Sequence, residues 1–186
     1  LGELFSMTKE IFDIAVAENK NVCYYIFRDL GIGKDCKYFV ETGTHLGGGV
    51  QYALDLGFEQ IFSCEMMRDR YEHCMNKFKD SDNVNLWLGN SNDCFGDMIS
   101  KIDKKSCFWL DAHDEGGGVP TFEELDSIKQ NSIKNHTIVI DDVPVYFSGK
   151  EKKLEEKILS INSDYKITYY KSLNPVDDYI LVAYVD

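Results

Sequence analysis

The chain has 186 residues, and 44% of them are hydrophobic and 13% aromatic. That is one domain by length, with enough apolar side chain for a full core, and it excludes a disordered chain. Acids outnumber bases 32 to 20, for a net charge of −12, which argues against nucleic acid and anionic membrane surfaces as partners. No apolar run approaches the ~18 residues of a membrane span, and no signal peptide is present. The six cysteines, at 23, 36, 64, 74, 94 and 107, form no C-x-x-C pair. They read as reduced thiols of an intracellular, cytoplasmic protein, with Cys64 and Cys107 as small core residues. Leu1 rather than Met stands first, and the expectation drawn from it is one domain of a longer polypeptide.

Residues 3–18 place Leu4, Ile11, Ile14 and Ala15 near helical spacing, and a second helix over 22–30 ends at Gly31. These helices make an N-terminal addition, 1–35, to a domain over 36–186. Strands are predicted over 37–42, 60–65, 83–88, 107–111 and 137–140, with helices over 50–56, 68–79, 94–102, 121–129 and 152–161. Thr121 is read as a helix cap, with Glu124 completing a capping box. Two last strands, 165–170 and 179–185, are joined by a connection of about eight residues, too short for a crossover helix, so they pair antiparallel. The alternation predicts a three-layer α/β sandwich, a mostly parallel Rossmann-like sheet with an antiparallel last strand.

The stretch with most chemical content is Tyr38-Phe-Val-Glu-Thr-Gly-Thr-His-Leu-Gly-Gly-Gly-Val50. An apolar strand ends in Glu41, a turn carries Gly43, Gly47, Gly48 and Gly49, and a helix follows. Glycines permit positive φ and close approach to the backbone, and the helix start offers unpaired N–H groups. Strand, acid, glycine turn and helix together make a site for a nucleotide-like cofactor at the sheet edge.

On these residues the chain resembles the class I S-adenosylmethionine (SAM)-dependent methyltransferases, over roughly 36–186. Glu41, Gly43 and Gly47 match the family's E/D-x-G-x-G-x-G, while His45 stands where the family has its middle glycine. The resemblance implies a cofactor site made by Glu41, Gly43, Thr44, His45 and Gly47, by Glu65 at the end of the second predicted strand for the ribose hydroxyls, by Asn90 and Ser91 after the third for adenine, and by Asp111. A carboxylate suits two ribose hydroxyls because hydrogen bonds to charge are the strong ones.

Asp111 ends the fourth predicted strand and Asp141–Asp142 follow the fifth. Carboxylates that close repel one another unless protons or a cation intervene, and a hard divalent ion is the ordinary answer. Leu110-Asp-Ala-His113 with Ile140-Asp-Asp142 is similar to metal-dependent sugar O-methyltransferases of the macrocin and novobiocin type. That resemblance implies Asp111, Asp141 and Asp142 as ligands of Mg²⁺ or Mn²⁺ and a sugar or oligosaccharide hydroxyl as acceptor. With Leu1 first, the expectation extends to the methylating domain of a longer glycan-building enzyme, fused to or associated with glycosyltransferase domains. The plainer alternative is that Asp141 or Asp142 caps a turn and Asp111 borders the cofactor. Asp111 or His113 is read as the general base, His113 having a pKa suited to neutral pH. His45 is a cofactor neighbour, and His73 and His136 are surface or helix-end residues. Tyr146 and Phe147 are placed at the crevice rim, where a ring can face a sugar or simply cover the core. A catechol-like acceptor, a metal-dependent hydrolase and a non-catalytic methyltransferase-like module are the rival readings.

Overall fold

The structure is a computed structural model, and it describes residues 4–6, 31–113, 118–171 and 179–186. In chain order the elements are β1 (Leu4–Ser6), β2 (Tyr38–Thr42), α1 (Gly48–Asp55), β3 (Gln60–Glu65), α2 (Arg68–Lys77), β4 (Val84–Leu88) and α3 (Ser91–Ile99). There follow β5 (Ser106–Leu110), α4 (Thr121–Gln130), β6 (Thr137–Ile140), α5 (Val143–Tyr146), α6 (Glu151–Leu159), β7 (Lys166–Lys171) and β8 (Tyr179–Tyr184). The eight strands lie in the order β1-β7-β8-β6-β5-β2-β3-β4. Pairing is parallel except at β8, which runs antiparallel to both β6 and β7. The expected sheet and its antiparallel ending are therefore present.

The period-two alternation of the strands supplies two cores. Tyr38, Val40, Phe62, Phe108, Leu110, Ile138 and Ile140 face one side, where α3, α4 and α6 add Phe95, Met98, Leu125, Ile128, Leu154 and Ile158. Phe39, Ile61, Cys107, Trp109 and Val139 face the other, against Val50 and Ala53 of α1 and Cys74 of α2. With each such side chain worth about 1.5–3 kcal/mol when fully buried, the middle strands are anchored from both faces. Cys64 and Cys107 are core residues as expected, and Cys36, Cys64, Cys74, Cys94 and Cys107 are all unpaired thiols; Cys23 lies outside the described residues.

Several boundaries differ from expectation for local reasons. Leu4–Ser6 is not helical but an edge strand parallel to β7; the rest of the predicted helix, and the helix over 22–30, lie outside the described residues. α3 starts at Ser91 rather than 94, because the Asn90 side chain accepts from the Asn92 amide at 2.9 Å and caps it. Thr121 does not cap α4: Pro120 precedes the helix, no side-chain cap bond forms, and Glu124 is buried rather than reaching back. The short α5 was not anticipated. It begins at Pro144's turn, directly after Asp142 takes a left-handed conformation.

Candidate functional site

Strand order reverses at β2, which has β3 on one side and β5 on the other. In an open parallel sheet the crevice beyond the strand ends at such a reversal is where ligands bind. Two glycines let the chain turn there. Gly43 has φ 89, and an added Cβ would stand 3.1 Å from the Asp111 carbonyl oxygen; at Gly47, φ 74, it would stand 2.5 Å from the Phe78 ring. His45 sits at φ 51, so the position where the resembled family has its middle glycine keeps a glycine-like backbone while carrying an imidazole. Among the described residues only His45 and Asp142 are non-glycine residues with positive φ, and both line one crevice. Such conformations cost about 1–2 kcal/mol and gather where a site requires them.

The glycine turn is braced by acids below it. Glu41 is buried and accepts from the Ser63 hydroxyl at 2.7 Å, and Ser63 is in turn 2.6 Å from Thr44 Oγ1. Burial pushes the Glu41 carboxyl up to about 8, against the Ser63 bond, and the charge of Glu65 adds to the rise. Glu65, also buried, is fixed by main chain: Oε2 accepts from the His45 amide at 2.7 Å and Oε1 from the Met67 amide at 2.8 Å. Both oxygens keep a further lone pair for a hydroxyl. The cation missing from the sequence around this turn comes from α2, where Lys77 Nζ donates to the carbonyls of Leu46 and Gly47 at 3.1 and 3.2 Å.

Asp111 leaves β5 between the two cores, and its amide donates to Thr42 Oγ1 at 3.3 Å. Burial first, then the charges of Asp141, Asp142 and Glu41, raise its pKa far above the carboxylate range, while a side-chain bond with Trp109 opposes the rise. Ligand atoms of Asp111, His113 and Asp142 lie within 4.8 Å of one another. Asp141 stands beside this group and its Oδ1 accepts from the Asp142 amide at 2.9 Å. His113 stacks on Tyr146, with ring centroids 5.3 Å apart and planes at 25°. Two carboxylates and an imidazole at that spacing could hold a divalent ion.

These residues share two adjoining cavities. One of about 1030 Å³ is lined by Gly43, His45, Glu65, Asn90, Ser91, Asp111, His113, Asp141 and Asp142. A smaller one of about 140 Å³ is lined by Glu41, Gly43, Thr44, His45, Gly49, Tyr52, Trp109 and Asp111. Gly47 lines neither and acts through the turn. Met66, Met67, Arg70, Asn92 and Glu123 also line the larger cavity and were not picked out from sequence; the first two follow directly on Glu65, which was the available signal. Of the two readings of the aromatics after Asp142, Phe147 takes the core one, being 1% exposed, and Tyr146 packs against the same core while stacking on His113. One expectation fails. His136 is not a surface residue: it is fully buried, its Nδ1 accepts from the Ser106 amide at 3.1 Å, and burial lowers its pKa to about 4. His73 is exposed as expected.

No family model matches the chain, and no curated protein matches it in sequence. Solved structures match it in shape. The O-methyltransferase TomG from Streptomyces achromogenes, involved in tomaymycin synthesis and in complex with SAM, has a TM-score of 0.69 over 96% of this chain and 90% of its own, at 14% identity. The fold is that of the SAM-dependent methyltransferases. The O-methyltransferase from Bacillus cereus in complex with S-adenosylhomocysteine (SAH) is similar at TM-score 0.67 and 14% identity, over 96% of this chain and 90% of that one. The SAH-bound methyltransferase PaMTH1 from Podospora anserina covers 100% of each chain at TM-score 0.65 and 13% identity. At these identities the likeness is one of sheet and helices, not of a shared set of site residues.

Proposed function

We propose that the chain is a SAM-dependent O-methyltransferase acting on a sugar or glycan hydroxyl with the help of a divalent metal ion. The observation that carries this reading is that a single crevice holds Glu65, the Asn90–Ser91 turn and the Asp111–His113–Asp142 group, in a fold whose structural neighbours include SAM- and SAH-bound O-methyltransferases.

SAM, when bound, supplies an electrophilic methyl group on a sulfonium. Glu65 would accept the ribose hydroxyls, Asn90 and Ser91 would meet the base, and Glu41 and Asp111, both pushed towards the neutral form by burial, would line the amino-acid end. Asp111, His113 and Asp142 would hold Mg²⁺ or Mn²⁺, with Asp141 as the alternative ligand; the ion would lower the pKa of the acceptor hydroxyl. The proton leaving that hydroxyl would pass to whichever of Asp111 and His113 is not holding the ion. Tyr146 offers a flat face at the rim for C–H surfaces of a sugar. The same stacked His113–Tyr146 pair also favours, as a second reading, a planar vicinal diol such as a catechol. A longer, glycan-building polypeptide is the setting this reading expects.

The test is incubation of labelled SAM with a panel of glycosides, catechols, tRNA and peptides, with chelator, Mg²⁺ or Mn²⁺. Label is expected in a neutral glycoside, lost with chelator and restored by the ions. Label in tRNA or peptide overturns the acceptor class, and label in a catechol alone replaces the sugar by a small aromatic. Full activity after exhaustive chelation removes the metal and leaves the base role to His113 or Asp111. No label transfer and no SAH binding would leave a non-catalytic module.

A further inference from the structure

Gly43, His45 and Asp111 line both cavities and so stand where the two meet. The first offers only backbone, Asp111 a carboxyl and His45 an imidazole. His45 takes φ 51, which glycine adopts freely and a residue with a Cβ does not, so a side chain here costs stability in the ligand-free fold. The backbone is held there from both ends: the His45 amide donates to Glu65 Oε2 at 2.7 Å, and its carbonyl accepts from Cys74 Sγ at 3.4 Å. The imidazole takes no part in that holding. It is exposed, and it closes no hydrogen bond or ion pair with another described residue. A strained position that keeps a side chain the fold does not use is where a ligand contact is to be sought.

The charges around His45 say what that contact is. The smaller cavity is lined by the acids Glu41 and Asp111 and by the rings of Phe39, Tyr52 and Trp109; Glu65 lines the larger one beside His45. Among the described residues lining the smaller cavity there is no Lys or Arg, and His45 is the one side chain able to carry a positive charge. Arg70 lines only the larger cavity. The amino-acid end of SAM or SAH is a zwitterion, an ammonium beside a carboxylate. The acids suit the ammonium. A carboxylate brought among Glu41, Glu65 and Asp111 is repelled unless a donor meets it, and hydrogen bonds to an ionised acceptor are the strong ones. The Thr44 hydroxyl does not fill that need, being 2% exposed and 2.6 Å from Ser63 Oγ.

We propose that His45 is the residue that selects a ligand with an amino-acid carboxylate: its imidazole donates a ring N–H to that carboxylate where the two cavities meet. This rests on the SAM reading of the crevice. It also accounts for a histidine at a position where glycine would be unstrained. The turn keeps the strain because the side chain is needed only once the ligand is bound.

The experiment is calorimetric titration of three ligands into the wild type and His45→Gly, with melting of each ligand-free protein. The ligands are SAH, its decarboxylated analogue, which keeps the amine, and 5′-methylthioadenosine, which lacks the amino-acid end altogether. His45→Gly should melt no lower than the wild type and bind SAH about ten- to hundredfold more weakly, the worth of a hydrogen bond to a charged acceptor. The decarboxylated analogue and methylthioadenosine should bind the two proteins alike, a split that a merely structural role for His45 would not produce. A loss of affinity that the decarboxylated analogue shares, or no loss for SAH, overturns the proposal while leaving the cofactor reading intact. A lower melting temperature for His45→Gly also overturns it, because the fold would then be using the side chain. A wild type that binds no SAH overturns both.

Discussion

Just before β6 and beside the first residue of β5, His136 is wholly buried and its ring is engaged on both sides: Nδ1 accepts from the Ser106 amide at 3.1 Å, and Nε2 lies 3.4 Å from Asn131 Oδ1. The ring meets Phe108 edge-on at 5.0 Å, and the His136 carbonyl accepts from the Tyr165 hydroxyl at 2.8 Å. At the other end of the same strands, Glu41 and Asp111 stand among neighbouring acids and Glu124 lies buried in the adjoining α4, and all three are pushed towards the neutral form by burial. One end of the sheet spends polar groups on holding the fold. The other keeps acids in a state that lowers stability and awaits a cation or a ligand, as functional sites do.

The sharpest way to break this contrast is to separate activity from stability at one residue. Asp111→Asn should cut methyl transfer by roughly 10²–10⁴-fold, yet leave the ligand-free unfolding free energy unchanged or higher, because it removes an acid from a repelling group; urea unfolding alongside the transfer assay reads both. Lost stability there would erase the contrast. Next in size, His136→Ala should cost about 2–4 kcal/mol in urea unfolding, since it leaves the Ser106 amide unpaired and opens a cavity, with SAH affinity little changed. Glu65→Ala should weaken SAH binding by about 1.5–3 kcal/mol, the worth of bonds to a charged acceptor. Equal binding of NAD, or no loss in the variant, would count against the cofactor assignment.

The smallest expected effect is on pH dependence, and the two ends have opposite signs. His136 has a folded pKa of about 4 against an ordinary 6.5, so its contribution is present above about 6.5 and is lost as pH falls towards 4. Glu124 has a folded pKa of about 7 against an ordinary 4.5, so the folded state holds a proton that the unfolded state releases first; its contribution is present below about 4.5 and lost as pH rises to 7. His136→Gln should flatten the acid limb of a stability profile and Glu124→Gln the alkaline limb, each by on the order of 1–2 kcal/mol. Urea midpoints measured from pH 4 to pH 8 check both.

Much of this was legible in the sequence. Strand patterns placed β2 to β8 nearly to the residue, because a central parallel strand carries a continuous apolar run such as Cys107–Leu110, bounded by polar residues. Glu65 and the acids after β5 and β6 were found because strand ends are where a parallel sheet exposes side chains. Long-range partners were not legible. Nothing near position 136 announces that Ser106, thirty residues earlier, supplies the amide that lets a histidine be buried. Glu124 matched a capping pattern, and only packing of α4 on α3 turns it inward under Ser91. Phe147 looked like a rim residue because it follows Asp142, whose left-handed backbone instead starts α5 and returns the ring to the core.

The packing of the glycine turn has a consequence for how this sequence can vary over time. A Cβ added at Gly49 would overlap Glu41 Oε1, so the carboxylate occupies the space a side chain would need. The two positions are locked in sequence history: residue 49 can gain a side chain only after residue 41 has given up its reach. A lineage that first shortened Glu41 could then alter α1 freely, whereas one that changed Gly49 first would displace the buried acid and the Ser63–Thr44 hydroxyl chain with it. The order of substitutions, as well as their identity, is thus constrained by a single close approach.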